Sequence, residues 1–217
     1  MGCDDGSCSN GSCGSGCSGK DKDGLPPGML SEYDLNIDTN IGTLVLVETS
    51  ENSISRDTAK LISRLRTISD DRIFGAIFGP GGTESLYGEA FSYGVDTLYH
   101  VKCSENTDVE AISDTLKDIC DRINPMAVCI SGTEKGNATA EKTAFKLGKP
   151  LMKDGTEISL KNGSYVSDAQ TDFVPMFAKH NRFPLIMTFK PGSFSEPISD
   201  RNRSGTVINR PLVKRNL

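Results

Sequence analysis

From Thr43 onward, short apolar runs alternate with stretches whose apolar residues recur every three or four positions. Leu44-Val45-Leu46-Val47 has a continuous β-type pattern and ends at the polar Glu48-Thr49-Ser50. Ile54, Thr58, Leu61, Ile62, Leu65 and Ile68 then follow at helical spacing. Ile73 to Phe78 predicts a second strand, broken by Gly79-Pro80-Gly81-Gly82. A short helix carrying Leu86, Ala90 and Phe91 is expected to close at Gly94. Thr97 to Cys103 predicts a third strand, and Thr107-Asp108-Val109-Glu110 matches a capping box. Val109, Ile112, Leu116, Ile119 and Ile123 form one helical stripe that stops before Pro125. Met126 to Ile130 is continuously apolar, as in a strand buried on both faces. Gly132 to Gly136 predicts a turn into a helix carrying Ala140, Ala144 and Leu147, which Gly148 and Pro150 end.

This alternation predicts an α/β fold, a parallel-sheet three-layer sandwich with helices on both faces. The pattern changes after Pro150. Ile158-Ser159-Leu160 and Ser164-Tyr165-Val166 flank Asn162-Gly163, a strong hairpin signal. Phe183 to Phe189 predicts one more strand. Antiparallel strands are therefore expected at the C-terminal end of the fold. Residues 191–217 show no periodicity and are expected to form an arm or a linker. The predicted organisation is a head at 1–24, a linker at 25–42, the folded body at 43–197 and a basic tail at 198–217.

Composition narrows the function. Hydrophobic residues make up 36% of the 217 and mean hydropathy is −0.33, enough for one core. No apolar run approaches the roughly 18 residues that cross a bilayer. A net charge of −5 does not suit a nucleic-acid binder. The start Met1-Gly2-Cys3-Asp4-Asp5 is too polar for an export signal, and Gly6 stands where the myristoylation pattern needs Ser or Thr. The expected location is the cytoplasm, whose reducing conditions favour thiols or metal thiolates.

Several stretches together resemble domain I of the electron-transfer flavoprotein alpha subunit. They are Leu44-Val45-Leu46-Val47-Glu48, Ser55-Arg56-Asp57-Thr58-Ala59-Lys60-Leu61 and Gly94-Val95-Asp96-Thr97-Leu98-Tyr99. Next come Ile130-Ser131-Gly132-Thr133-Glu134-Lys135-Gly136 and the helix end Lys146-Leu147-Gly148. Thr188-Phe189-Lys190-Pro191-Gly192-Ser193-Phe194 is similar to the family's Thr-Val-Arg-Pro-Gly-Ala-Phe. The resemblance covers about Thr43 to Pro197. It implies an adenine-nucleotide alpha-hydrolase-like sandwich that pairs with a beta-like subunit holding FAD or AMP. A dehydrogenase or ferredoxin would be the redox partner. The FAD-domain motifs that follow in the family are not found after Pro197, and Asn137-Ala138 replace its Arg/Lys-Asp pair. The resemblance therefore predicts an electron-transfer component that does not hold FAD by itself.

Two sets of residues are candidates for chemistry. A glycine turn between a parallel strand and a helix offers free amides and a helix dipole to an anion. Gly132, Thr133, Lys135, Gly136 and Asn137 are the candidate cofactor contacts there, or the glycines serve only to turn the chain. The second set is Cys3, Cys8, Cys13 and Cys17, spaced C-x4-C-x4-C-x3-C within a Gly- and Ser-rich head. Four thiolates on flexible spacers suit an iron–sulfur cluster, of [4Fe–4S] type, or a structural zinc. The composition alone also describes a disordered tail.

The other three cysteines, Cys103, Cys120 and Cys129, read as core thiols. His100 and His180 are far apart, and no catalytic motif includes them. The expected function is electron transfer, in which a cluster relays electrons to or from a partner's flavin. The alternatives are an adenine-nucleotide-binding module and a purely structural subunit.

Overall fold

The computed structural model describes residues 42–161, 164–168 and 184–213. Seven strands form one sheet. They are β1 (Thr43–Val47), β4 (Ile73–Gly79), β5 (Thr97–Lys102), β6 (Ala127–Ser131), β7 (Leu151–Gly155), β10 (Leu185–Phe189) and β11 (Thr206–Arg210). Their order is β11-β5-β4-β1-β6-β10-β7, and every neighbouring pair is parallel. Two small antiparallel pairs stand apart: β2 (Thr49–Ser50) with β3 (Ser53–Ile54), and β8 (Ile158–Lys161) with β9 (Ser164–Ser167).

Four helices cover the sheet: α1 (Arg56–Ile68), α2 (Tyr87–Tyr93), α3 (Val109–Ile123) and α4 (Glu134–Leu147). Alternate side chains of each strand feed two separate cores. Val45 and Val47 pack with Leu61, Ile62 and Leu65 of α1 and Phe91 of α2. Leu44 and Leu46 pack with Leu116 and Ile119 of α3 and Ala140 and Ala144 of α4. Leu44, Leu116 and Ile119 are fully buried. Each such side chain contributes roughly 1.5–3 kcal/mol. The predicted three-layer sandwich is thus observed.

Three details differ from the sequence pattern. Asp108, not Thr107, is the N-cap of α3, and its side chain makes no capping bond. Thr107 Oγ1 donates instead to the Ser104 carbonyl (2.6 Å), and Glu110 is drawn across to Lys142 and Lys146 of α4. The capping box therefore does not form. The expected antiparallel strands are present as the hairpin β8–β9, beside the sheet, while the sheet's own edge is the parallel strand β7. Asp154 in β7 has φ +56° and the register with β10 shifts there, so its apolar pattern is broken. The expected arm also contains β11, the opposite edge. As an edge strand β11 has one neighbour only, and although Val207 and Ile208 pack on the two cores it stays half-exposed and its periodicity is weak. The turn residues Asn162 and Gly163 lie outside the described residues.

A candidate switch-point site at the carboxyl ends of the strands

The chain runs outward from β1 to β4 and β5, then returns to β6 on the other side of β1. The strand order therefore reverses between β1 and β6. In open parallel sheets the crevice outside the carboxyl ends at that point is where ligands bind. Glu48 leaves β1 there, and Gly132-Thr133 leave β6. The β2–β3 turn folds back so that the Ser55 amide donates to the Glu48 carbonyl (2.8 Å), which sets the start of α1 beside them. Lys190, after β10, lies next along the rim.

Thr133 organises the turn. It is the N-cap of α4, and its hydroxyl accepts from the Gly136 amide (2.9 Å) while donating to Glu48 Oε1 (2.8 Å). Such caps are worth about 1 kcal/mol. Burial is the main cause that raises the Glu48 pKa above the usual carboxylate value, and Asp57 adds to it. The Thr133 hydrogen bond and the Lys135 charge act the other way. Nearby, Thr58 and Ser131 hydroxyls lie 3.0 Å apart, and Asp57 Oδ1 accepts from the Gly192 amide (2.8 Å).

Both glycines are required by close approach. A Cβ at Gly132 would lie 2.7 Å from the Phe189 carbonyl oxygen, and one at Gly136 only 2.1 Å from that of Ser131. Lys135 is exposed. Asn137 Nδ2 donates to the Gly132 carbonyl (3.3 Å), and its buried Oδ1 has no partner among the described residues. The five predicted residues are thus adjacent, but the Gly136 amide is already capped. The crevice carries both signs of charge: Glu48 at the turn, and Asp57 with Lys60 and Lys190 beside it. An incoming phosphate at the Gly132 turn itself would meet the Glu48 carboxylate. Glu48 carries no motif of its own, and only the strand order would have singled it out.

Glu48 also makes a pH prediction. A raised carboxyl pKa in the fold gives stability that is present below the unfolded value of 4.5 and lost as pH rises through the folded value. Glu48→Gln keeps an oxygen for Thr133 and removes the buried charge. Its melting temperature is expected to exceed wild type at neutral pH and to match it in acid. An equal difference at both pH values would refute this assignment.

The remaining candidates lie elsewhere. Cys120 and Cys129 are buried, and burial pushes their thiols well above the ordinary range, so they stay protonated and inert. Cys103 is half-buried. His100 is fully buried with Nδ1 2.6 Å from the Tyr87 hydroxyl, away from the crevice. Cys3, Cys8, Cys13, Cys17 and His180 lie outside the described residues. Among the described residues no His, Cys, Asp and Glu side chains gather into a metal-holding group, and no helix is long and apolar enough to cross a membrane.

A three-layer parallel sandwich with a crevice at its switch point defines a doubly wound α/β class of domain. The family model of the electron transfer flavoprotein domain matches residues 43–214, and the chain belongs to that family. A comparison with curated proteins gives no match. The matched region runs past the body predicted at 43–197 and takes in β11.

Proposed function

We propose that the chain is an alpha-like electron-transfer subunit that pairs with a beta-like subunit, and that the partner mainly holds the FAD or AMP. Membership of the electron transfer flavoprotein family carries this reading. The capped, carboxylate-lined turn at Gly132 supports it, because such a turn is poorly suited to hold a nucleotide phosphate unaided. The resemblance of Lys190 to Phe194 to the alpha subunit's Arg-Pro-Gly-Ala-Phe favours the alpha-like role. The head then supplies what the body lacks. Cys3, Cys8, Cys13 and Cys17 would hold an iron–sulfur cluster, whose chemistry is one-electron transfer. The cluster is the relay between the partner's flavin and a dehydrogenase or ferredoxin. The protein sets distance and potential, and the cofactors carry the redox chemistry.

The experiment is anaerobic co-expression with a beta-like subunit, followed by the absorption spectrum of the purified complex. Flavin bands over a broad iron–sulfur background are the expected result, with no flavin retained by this chain alone. A complex with neither would overturn the reading. Tight AMP or ATP binding by the isolated chain in equilibrium dialysis would instead favour the nucleotide-binding module.

A further inference from the structure

After β10 the chain makes a long crossing without a helix. Residues 191–205 pass α1 and α2 and deliver β11 to the opposite edge of the sheet, beside β5. One stripe of α1 receives them. Asp57 Oδ1 accepts from the Gly192 amide (2.8 Å), and Arg56 and Lys60 pair with Glu196 at 2.8 and 3.2 Å. Ser63 Oγ accepts from the Ile198 amide (2.9 Å). Farther on, the Ser92 carbonyl accepts from the Asp200 amide (2.9 Å). The last fastener is Asp96, whose carboxylate takes Arg203 (3.3 Å) and whose carbonyl takes the Thr206 amide (2.9 Å).

These holds are almost all polar. The apolar exceptions include Phe194, packed 5.3 Å from Phe189, the close approach of Gly205 to Phe91, and, in β11 beyond, Val207 and Ile208 against the two cores. The underside is not filled. A cavity of about 10 Å³ lies at the root between Asp57, Ser131 and Phe194. A groove of about 350 Å³ follows between α1, Thr156-Glu157 and Ser193–Ile198. Ile198 is 69% exposed. The Arg56 and Glu196 side chains are 73% and 62% exposed. Exposed pairs of this kind contribute little and weaken in salt.

We infer that residues 191–205 are a strap, fastened by charge, that opens locally together with β11 while the rest of the domain stays folded. Local units of this kind open well below the free energy of global unfolding. Opening bares the Asp57–Ser63 stripe of α1 and the edge of β5 in one event. Ionic strength therefore sets how often this face is bared.

Hydrogen–deuterium exchange of the full chain, at low salt and at about 1 M NaCl, reads this directly. Peptides from 191–210 are expected to exchange about three- to tenfold faster in high salt, with β4 and β6 peptides unchanged. Glu196→Gln should reproduce the faster exchange at low salt and blunt the salt response. Arg56→Gln, on the other side of the same exposed pair, should act in the same direction. The inference is overturned if 191–210 is as protected as β4 at both salts, or exchanges only when the whole domain does. Neither variant changing the rate would overturn it too.

Discussion

Gly136→Ala is expected to be the most damaging single-methyl change in the fold. The added Cβ would sit 2.1 Å from the Ser131 carbonyl oxygen and 2.9 Å from the Thr133 hydroxyl. The first obstacle is backbone at the end of a central strand, so α4 as a whole has to move away from the sheet. Overpacking of this kind costs about 1–3 kcal/mol. The same movement pulls the Gly136 amide off Thr133, and a lost cap adds about 1 kcal/mol. Together these predict a fall in Tm of about 6–12 °C for a domain of this size. Gly148→Ala, at the other end of α4, meets no neighbouring atom and strains only its φ of +61°. It should cost clearly less. Thermal unfolding of the two variants side by side checks the ranking, and equal losses would show that the close approach at Gly136 is not the cause.

Cys8→Ser combined with Cys13→Ser is expected to have the largest functional effect. If the head wraps one cluster, removing two of four ligands leaves a site that cannot be completed. Iron should fall from about four atoms per chain to none, with loss of the iron–sulfur absorption. Electron flow between the partner's flavin and its acceptor should collapse, while flavin content stays unchanged. Cys120→Ala is the matched control. Its thiol is buried and protonated, so iron content should be unaffected. Unchanged electron flow in the double variant would remove the relay from the proposed function. Zinc in place of iron would turn the head into a structural element.

The body was legible because its strands are buried on both faces. Leu44 to Val47, Ile73 to Phe78 and Met126 to Ile130 are continuous apolar runs, and the stripes of α1 and α3 have unbroken spacing. The edges were not legible. β7 is interrupted by Lys153 and Asp154, and β11 by Asn209, because an edge strand need not be apolar on both sides. The candidate site was half legible. Gly132, Thr133 and Gly136 are local and follow from the turn. Glu48 acquires its character only through Thr133, a partner far away in the chain, and burial that no window of sequence displays. The polar side of α1 carries a role that no sequence pattern displays. Its polar residues look like a solvated face, yet Asp57, Lys60 and Ser63 are the seat of the crossing chain.

The central position of β1 has a consequence for how the chain assembles. Among the described residues, the first strand of the sheet to be synthesised takes the middle place, with β4 on one side and β6 on the other. Its hydrogen-bonding edges stay open until both neighbours have emerged, and the sheet is closed last by Thr206–Arg210 pairing with Thr97–Val101. Every strand pairing in the sheet is parallel, so none forms through a tight hairpin. Loop closure must precede each gain in contact, which places this domain among slow folders. The early strand Leu44–Val47, apolar on both faces, is the segment most in need of protection during that interval.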